Sequence, residues 1–206
     1  MSGNVTLTRA LLRGPLKVRF RPGLSEDAFW RLCQQNPQLD FERTAWGDLV
    51  IVAPAGADSD SRNTELTGQL WLWNRSNGDP GCVFGPSAGF TLPNTAVRGP
   101  DASWISRERW EMLPRGDRER FAHICPEFVV EIRSRSDRKR ELRAKMREYL
   151  ANGAQLGWLI DPTIKARTVE IYRPDLPLEV LKCPDTLSGE DILPGFVLDL
   201  KGILLD

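Results

Sequence analysis

The segment Glu127-Phe128-Val129-Val130-Glu131-Ile132 is the clearest core strand in the chain. Its consecutive β-favouring apolar residues predict a strand that is buried in a sheet. Glu131 breaks this apolar run at a place where a lone carboxylate costs roughly several kcal/mol. We therefore expect Glu131 either to pair with a cationic side chain or to bind a metal ion.

A second carboxylate stands at the start of another predicted strand, Pro100-Asp101-Ala102-Ser103-Trp104-Ile105. If the two strands are neighbours, Asp101 and Glu131 can share one cation. The alternative is that each carboxylate pairs with an arginine at a strand end. The residues alone leave both interpretations open.

A helix is predicted after the first strand, over residues 137–152, with Ser136 as its cap and Gly153 at its end. Its apolar face carries Leu142, Met146, Tyr149 and Leu150. Lys145 and Arg138 lie at the edge of this face, at about 100° of rotation per residue. Lys145 can therefore bend back toward Glu131, with its stem packed and its ammonium exposed to the carboxylates. A pair with Glu141, one turn away, is the alternative.

The remaining pattern predicts an α/β fold with a mixed β-sheet flanked by helices. A helix should begin after Ser25 and stop near Asn36 and Pro37. Further helices are predicted at 62–77 and, from polar helix-prone residues, at 107–120. Strands are predicted at 38–44, 48–53, 82–84, 89–92, 156–160 and 168–172. The centre of the second, Leu49-Val50-Ile51-Val52, is apolar throughout and is expected to be buried.

Composition limits the function classes. The 206 residues are 41% hydrophobic, which suffices for one substantial core. Lys plus Arg and Asp plus Glu both number 28, so bulk charge gives no sign of a basic, nucleic-acid-coating protein. Four scattered cysteines and one histidine supply no zinc-ligand spacing. We expect a cytoplasmic protein with no membrane segment and reduced thiols.

An ordered set of residues resembles the Uma2 family, also called DUF820, of the PD-(D/E)xK nuclease superfamily. The set comprises Pro100-Asp101, Glu131 to Ser136, Lys145, Tyr149, Gly153 and Trp158 to Pro162. The resemblance runs from about 42 to 172 and implies a restriction-endonuclease-like core. It also implies one domain over 1–206, with a helix and hairpin at about 18–53, a nuclease-like core at about 58–173 and a short C-terminal tail.

The resemblance further implies that Asp101 and Glu131 hold Mg²⁺ or Mn²⁺ and that a lysine positions the attacking water. In the family this lysine comes from the next helix, which makes Lys145 the third catalytic candidate. Glu42, on the first hairpin strand, and Glu65, on the first core helix, are candidates for an additional acid, with Glu42 ranked first. Glu65 lies about 100° from Leu66, at the edge of the buried face, and this position favours a solvated surface residue.

Arginine stands at the literal third place of the motif, as Arg133. Its guanidinium could orient a phosphate but is a poor proton acceptor. Arg133 and Arg138 are candidate phosphate contacts, within a basic stretch from 133 to 147 that is either a nucleic-acid contact or a solvated helix face. The family commonly reads Ser-Pro-Ser where this chain has Ser134-Arg135-Ser136.

Two functions follow as hypotheses. The first is Mg²⁺-dependent endonuclease cleavage of nucleic acid, with DNA as the expected substrate. The second is a catalytically silent nuclease-like fold that serves as a binding or assembly module. A homo-oligomer is compatible with either.

Overall fold

The computed structural model describes residues 15–52 and 56–204. Its helices are α1 (Glu26–Gln35), α2 (Ala57–Ser76), α3 (Arg107–Met112), α4 (Arg115–Arg118) and α5 (Lys139–Ala151). Its strands are β1 (Leu16–Val18), β2 (Asp40–Arg43), β3 (Leu49–Val52), β4 (Gly81–Phe84), β5 (Phe90–Thr91), β6 (Val97–Arg98), β7 (Ala102–Ser106), β8 (Phe128–Ile132), β9 (Leu156–Asp161), β10 (Thr168–Tyr172), β11 (Glu179–Lys182), β12 (Thr186–Ser188) and β13 (Val197–Asp199).

The strand that carries Glu131 lies inside a six-stranded sheet of order β11-β10-β9-β8-β7-β4. Strand β8 runs parallel to β9 and antiparallel to β7, so the sheet is mixed as predicted. All five residues of β8 are buried. Because side chains alternate along a strand, Phe128 and Val130 face one side of the sheet while Val129 and Glu131 face the other.

A second sheet of five strands, in the order β1-β3-β2-β6-β5, contains the predicted hairpin β2–β3. Leu49 and Ile51 of β3 are buried, but Val50 and Val52 are partly exposed. The prediction that this strand is buried throughout is wrong, because its other face borders an open cleft. The predicted end of this strand at Ala53 lies outside the described residues.

The helices follow the predicted pattern with shifted ends. Helix α1 begins after Ser25, whose hydroxyl accepts a hydrogen bond from the Ala28 amide at 3.2 Å. Helix α2 begins five residues earlier than predicted, since Asp58 and Asp60 favour the positive N-terminal end of a helix. The stretch 107–120 forms two short helices, because Pro114 lies between α3 and α4 and cannot continue a helix.

Helix α5 begins at Lys139, and Ser136 does not cap it. The Ser136 hydroxyl instead lies 3.0 Å from that of Ser134 in the preceding loop, and Arg138 occupies the cap position without a side-chain bond. The predicted end is confirmed, since Gly153 has φ of +111°, a conformation that glycine adopts without strain. None of the helices described combines the length and apolarity needed to cross a membrane.

The C-terminal segment, expected only as a short tail, supplies part of the main core. Strand β11 extends the six-stranded sheet, and β12 and β13 form a hairpin. Phe196 is buried beside Phe128 and stacks on Trp158, with ring centroids 6.1 Å apart and planes at 17°. The sequence reading missed this role because the apolar residues of the tail come in pieces too short to show a period.

Replacing Phe196 with Ala should therefore lower the free energy of unfolding by about 3–5 kcal/mol, the usual cost of a cavity of this size in a core. Urea denaturation followed by tryptophan fluorescence would measure the change. Val197→Ala is the matched control, because Val197 is exposed on the neighbouring position of the same segment and should cost well below 1 kcal/mol. Equal effects of the two substitutions would contradict a core role for Phe196.

Candidate active site

The two predicted carboxylates lie near each other where β7 begins and β8 ends, inside the six-stranded sheet. Ala102 pairs with Val130 and Ser103 with Val129, so continuing this register places Asp101 opposite Glu131 on the same face. Directly opposed residues have Cβ atoms about 4.5–5.5 Å apart. Asp101 Oδ2 also accepts a hydrogen bond from the Ile132 amide at 2.6 Å, which fixes the aspartate against the end of β8.

Lys145 reaches these carboxylates from α5. Its Nζ lies 2.8 Å from Glu131 Oε1 and 2.6 Å from Glu42 Oε1, and it donates to the Gly99 carbonyl at 3.0 Å. The Lys145 ammonium thus contacts Glu42 and Glu131 instead of Glu141, which lies 3.5 Å from Arg138. The direction predicted for the Lys145 side chain is found in the structure, while its catalytic role stays a prediction.

Two neutral side chains complete the contacts of the carboxylates. The Tyr149 hydroxyl donates to Glu131 Oε1 at 3.1 Å, and the Asn63 amide donates to Asp101 Oδ1 at 3.2 Å. Sequence reasoning placed Tyr149 only in the apolar stripe of its helix and missed Asn63. The helical spacing could have indicated Asn63. It precedes Leu66 by three residues and so lies on the buried face of α2, where an unpaired amide would be unfavourable.

Burial sets the charge states of this group. It raises the pKa of Glu131 to about 8, because desolvation outweighs the attraction of Lys145, and Asp101 and Glu42 add repulsion. Burial also raises the pKa of Asp101. Burial alone would lower the pKa of Lys145, but Glu131 and Glu42 hold it above its usual value. The lysine is therefore a fixed positive charge at neutral pH.

A wide cleft of about 2130 Å³ opens over the carboxylates. Asp101, Glu131 and Lys145 line its floor, and the N-terminal turn of α2 borders it. The loop 133–137 and the β9–β10 loop at 162–166 also contribute to its walls. The site is thus accessible to a large ligand.

The chain matches a family model over most of its length. The Uma2 model, described as "Putative restriction endonuclease", matches residues 26–201. The chain belongs to the Uma2 family. This match includes both carboxylates, Lys145, Tyr149 and Asn63, so the whole site lies within the Uma2 region.

A solved structure confirms the α/β fold with mixed sheets and flanking helices. It is the crystal structure of "a putative nuclease belonging to DUF820" from Anabaena variabilis ATCC 29413. The two chains are 22% identical with a TM-score of 0.70, and the similarity covers 88% of this Uma2 chain and 97% of the other. No curated protein matches the chain significantly.

The donor set of this Uma2 site fits a hard divalent cation. Mg²⁺ binds one or two carboxylates and keeps several waters, and Asp101 and Glu131 offer two carboxylates from adjacent strands. Among residues 15–52 and 56–204, no group of three or more His, Cys, Asp or Glu side chains is arranged to hold a metal ion. A divalent ion bound here would therefore be held by the Asp101 and Glu131 carboxylates together with water or substrate oxygens.

The structure places Glu65 away from the site. Its side chain is exposed and accepts a hydrogen bond from Gln69 at 3.0 Å. Glu65 lies two residues after Asn63, a rotation of about 200°, so the two side chains project from nearly opposite sides of the helix. Glu65 is therefore not positioned to serve as the additional acid, and the residue of α2 that contacts Asp101 is Asn63.

The predicted basic stretch is largely paired with acidic residues. Arg133 lies 3.0 Å from Asp161, and Lys139 lies 3.3 Å from Asp161 and 3.0 Å from Glu170. Arg143 approaches Glu170 to 2.6 Å, and hydrogen bonds from Arg143, Tyr172 and Lys139 overcome burial to hold the pKa of Glu170 at about 2.

The two candidate phosphate contacts differ in position. Arg133 borders the cleft beside the carboxylates, although Asp161 shares its charge. Arg138 is 79% exposed, lies 3.5 Å from Glu141 and is not among the residues that line the cleft. Of the two, the geometry favours Arg133.

Proposed function

We propose that this Uma2 protein is a PD-(D/E)xK nuclease that uses Mg²⁺ or Mn²⁺ to hydrolyse phosphodiester bonds, with DNA as its substrate. One observation carries the proposal: Asp101, directly before β7, comes opposite Glu131 of the adjacent β8 when the register is continued, with the Lys145 ammonium 2.8 Å from Glu131. The family description as a restriction endonuclease supports the nuclease class and DNA.

Each residue of the site has a role in this proposal. Asp101 and Glu131 would hold the divalent ion, which when bound supplies a Lewis acid and lowers the pKa of a bound water. Asn63 and Tyr149 orient the two carboxylates through their hydrogen bonds. Lys145 keeps its proton, so it acts as a positive charge that stabilises the negative charge of the phosphate or the attacking water, and not as a proton acceptor.

Arg133 is the residue placed to meet the substrate backbone. Its guanidinium borders the cleft and can bind two phosphate oxygens at once. Its existing pair with Asp161 would hold the guanidinium plane in place while a phosphate approaches from the cleft. A planar, oriented donor of this kind positions a phosphate but accepts no proton.

A specific observation favours the second function, a silent fold that serves in binding or assembly. The Lys145 ammonium already lies between Glu42 and Glu131, so these charges are compensated without a metal ion. In this alternative, Glu42 and Glu131 serve only to hold α5 against the two sheets and do not bind a metal ion.

The test compares the wild-type chain with Asp101→Asn, which keeps an oxygen for the Ile132 amide but loses the charge. Wild type should bind Mn²⁺ in calorimetry and nick supercoiled DNA with Mg²⁺ or Mn²⁺, while the variant should do neither. Glu170→Gln is the matched control, because it removes a buried carboxylate outside the site. No binding and no cleavage of duplex DNA, single-stranded DNA or RNA by wild type would leave the silent fold.

A further inference from the structure

We infer that Glu42 is a positioning residue and not a metal ligand. Its carboxylate fixes the position of the Lys145 ammonium relative to the backbone that precedes Asp101. The inference rests on the proposed nuclease function, within which Glu42 is otherwise a candidate additional acid. Three sets of contacts carry it.

The oxygens of Glu42 are already occupied by donors. Oε1 accepts from Lys145 Nζ at 2.6 Å and from the Gly99 amide at 3.1 Å, and Oε2 accepts from Arg98 at 2.9 Å. A carboxylate offers about four acceptor positions, so three of them are filled. Two of the three bonds come from charged donors, which a metal ion would have to displace.

Arg98 links Glu42 to α5, the helix that carries Lys145. Its Nε and Nη2 atoms each lie 2.6 Å from Glu148 Oε2. Glu148 follows Lys145 by three residues on α5, so both side chains leave the same side of the helix. Glu42 and Arg98 belong to the five-stranded sheet, and this pairing ties that sheet to one turn of α5.

Gly99 connects the same contacts to the first carboxylate. Its amide donates to Glu42 and its carbonyl accepts from Lys145 at 3.0 Å. Gly99 precedes Asp101 by two residues, and the intervening Pro100 restricts the chain between them. Glu42 therefore fixes both the Lys145 ammonium and the backbone at Gly99, and so sets the distance between Lys145 and Asp101.

The experiment compares Glu42→Gln with Glu170→Gln. Both variants remove one buried carboxylate that ties α5 to a strand, but only Glu42 contacts Lys145. Calorimetry would measure the Mn²⁺ dissociation constant, and an assay that follows the nicking of supercoiled plasmid would measure kcat and KM. For Glu42→Gln we expect kcat to fall about 100-fold, with KM and the Mn²⁺ dissociation constant changed less than about threefold. Glu170→Gln should change all three by less than about threefold.

Two outcomes overturn the inference. A Mn²⁺ dissociation constant raised at least tenfold in Glu42→Gln, with activity restored by excess metal, would make Glu42 a ligand. An equal fall of kcat in both variants would reduce Glu42 to a general anchor of the helix.

A second measurement works even if Glu42→Gln folds poorly or if wild type does not cleave DNA. Acetylation of the folded chain by acetic anhydride, read by mass spectrometry, reports whether Lys145 is held. We expect slow labelling in wild type and Glu170→Gln, and labelling at least tenfold faster in Glu42→Asp, whose carboxylate is one methylene shorter. Unchanged labelling in Glu42→Asp overturns the positioning role. Absent metal binding and cleavage in wild type would count against the nuclease proposal alone.

Discussion

Glu131→Gln should reduce DNA cleavage on the order of 1000-fold, since several kcal/mol of transition-state stabilisation depend on a bound ion. The amide keeps the size of the carboxylate and an oxygen for the Tyr149 hydroxyl, but it lacks the negative charge that would hold a cation. Thermal melts with and without Mn²⁺ give a second measurement. Wild type should melt higher with the ion, and the variant should not respond.

The metal-free protein provides the control for this substitution. Because burial raises the pKa of Glu131 to about 8, the group is largely protonated at neutral pH and already resembles the amide. At pH 4.5 or below, where the pH-dependent loss of stability is absent, stability without metal should therefore differ by no more than about 1 kcal/mol between wild type and variant, and at neutral pH the variant should be the more stable. A larger loss, together with a metal-insensitive wild type, would mean that Glu131 serves as the ionic partner of Lys145.

The pH dependence of stability has a defined sign. Glu131 holds a proton in the folded chain up to about pH 8, whereas in the unfolded chain it releases the proton near its ordinary pKa of 4.5. Between these values the folded state binds more protons, so this contribution is present below pH 4.5 and is lost as the pH rises to about 8. Urea titrations without metal should show this decline in wild type, and Glu131→Gln should lack it.

Lys145→Met should lower kcat by roughly 100- to 1000-fold, because it removes the positive charge beside the reacting groups. Its effect on metal binding should be opposite to that of Glu131→Gln. The ammonium no longer competes for Glu131 Oε1, so Mn²⁺ affinity should be equal to or higher than in wild type. Calorimetry and nicking assays on the same sample separate the two effects.

Stability should also fall in Lys145→Met, by roughly 2–4 kcal/mol without metal, because the buried Glu42 carboxylate loses one of its charged donors. Mn²⁺ should restore more stability to this variant than it adds to wild type. Lys139→Met is the matched control: Lys139 lies on the same helix but pairs with Asp161 and Glu170, so its loss should leave kcat within about threefold. If Lys145→Met cleaves at the wild-type rate, Arg133 becomes the candidate for the role.

The pair Asp101 and Glu131 could be predicted because a charge inside an apolar strand is visible in one sequence window. Lys145 could be placed because its helix has a regular apolar stripe that fixes which side faces the sheet. Arg98 and Asn63 could not be assigned in the same way. Their partners lie 56 and 38 positions away, on elements whose packing no local period reveals.

Local signals also failed at segment ends. The predicted start of α2 at residue 62 is too late, because Asp58 and Asp60 stabilise an earlier first turn. Glu65 seemed suitable by charge type, but its rotation about α2 directs it to solvent. Charge type is therefore a weaker guide to a site than position relative to the buried face.

The ion pairs along α5 should affect how strongly the binding of a nucleic acid depends on salt concentration. A cation bound to nucleic acid contributes affinity mainly by releasing condensed counterions, with a slope of about 0.9 in log K against log salt per phosphate neutralised. Asp161 and Glu170 together offset two of the three positive charges on Arg133, Lys139 and Arg143. This group keeps about one net positive charge, so a phosphate held by Arg133 should add a slope of only about 0.9 to the salt dependence of binding rather than the slope of three free cations.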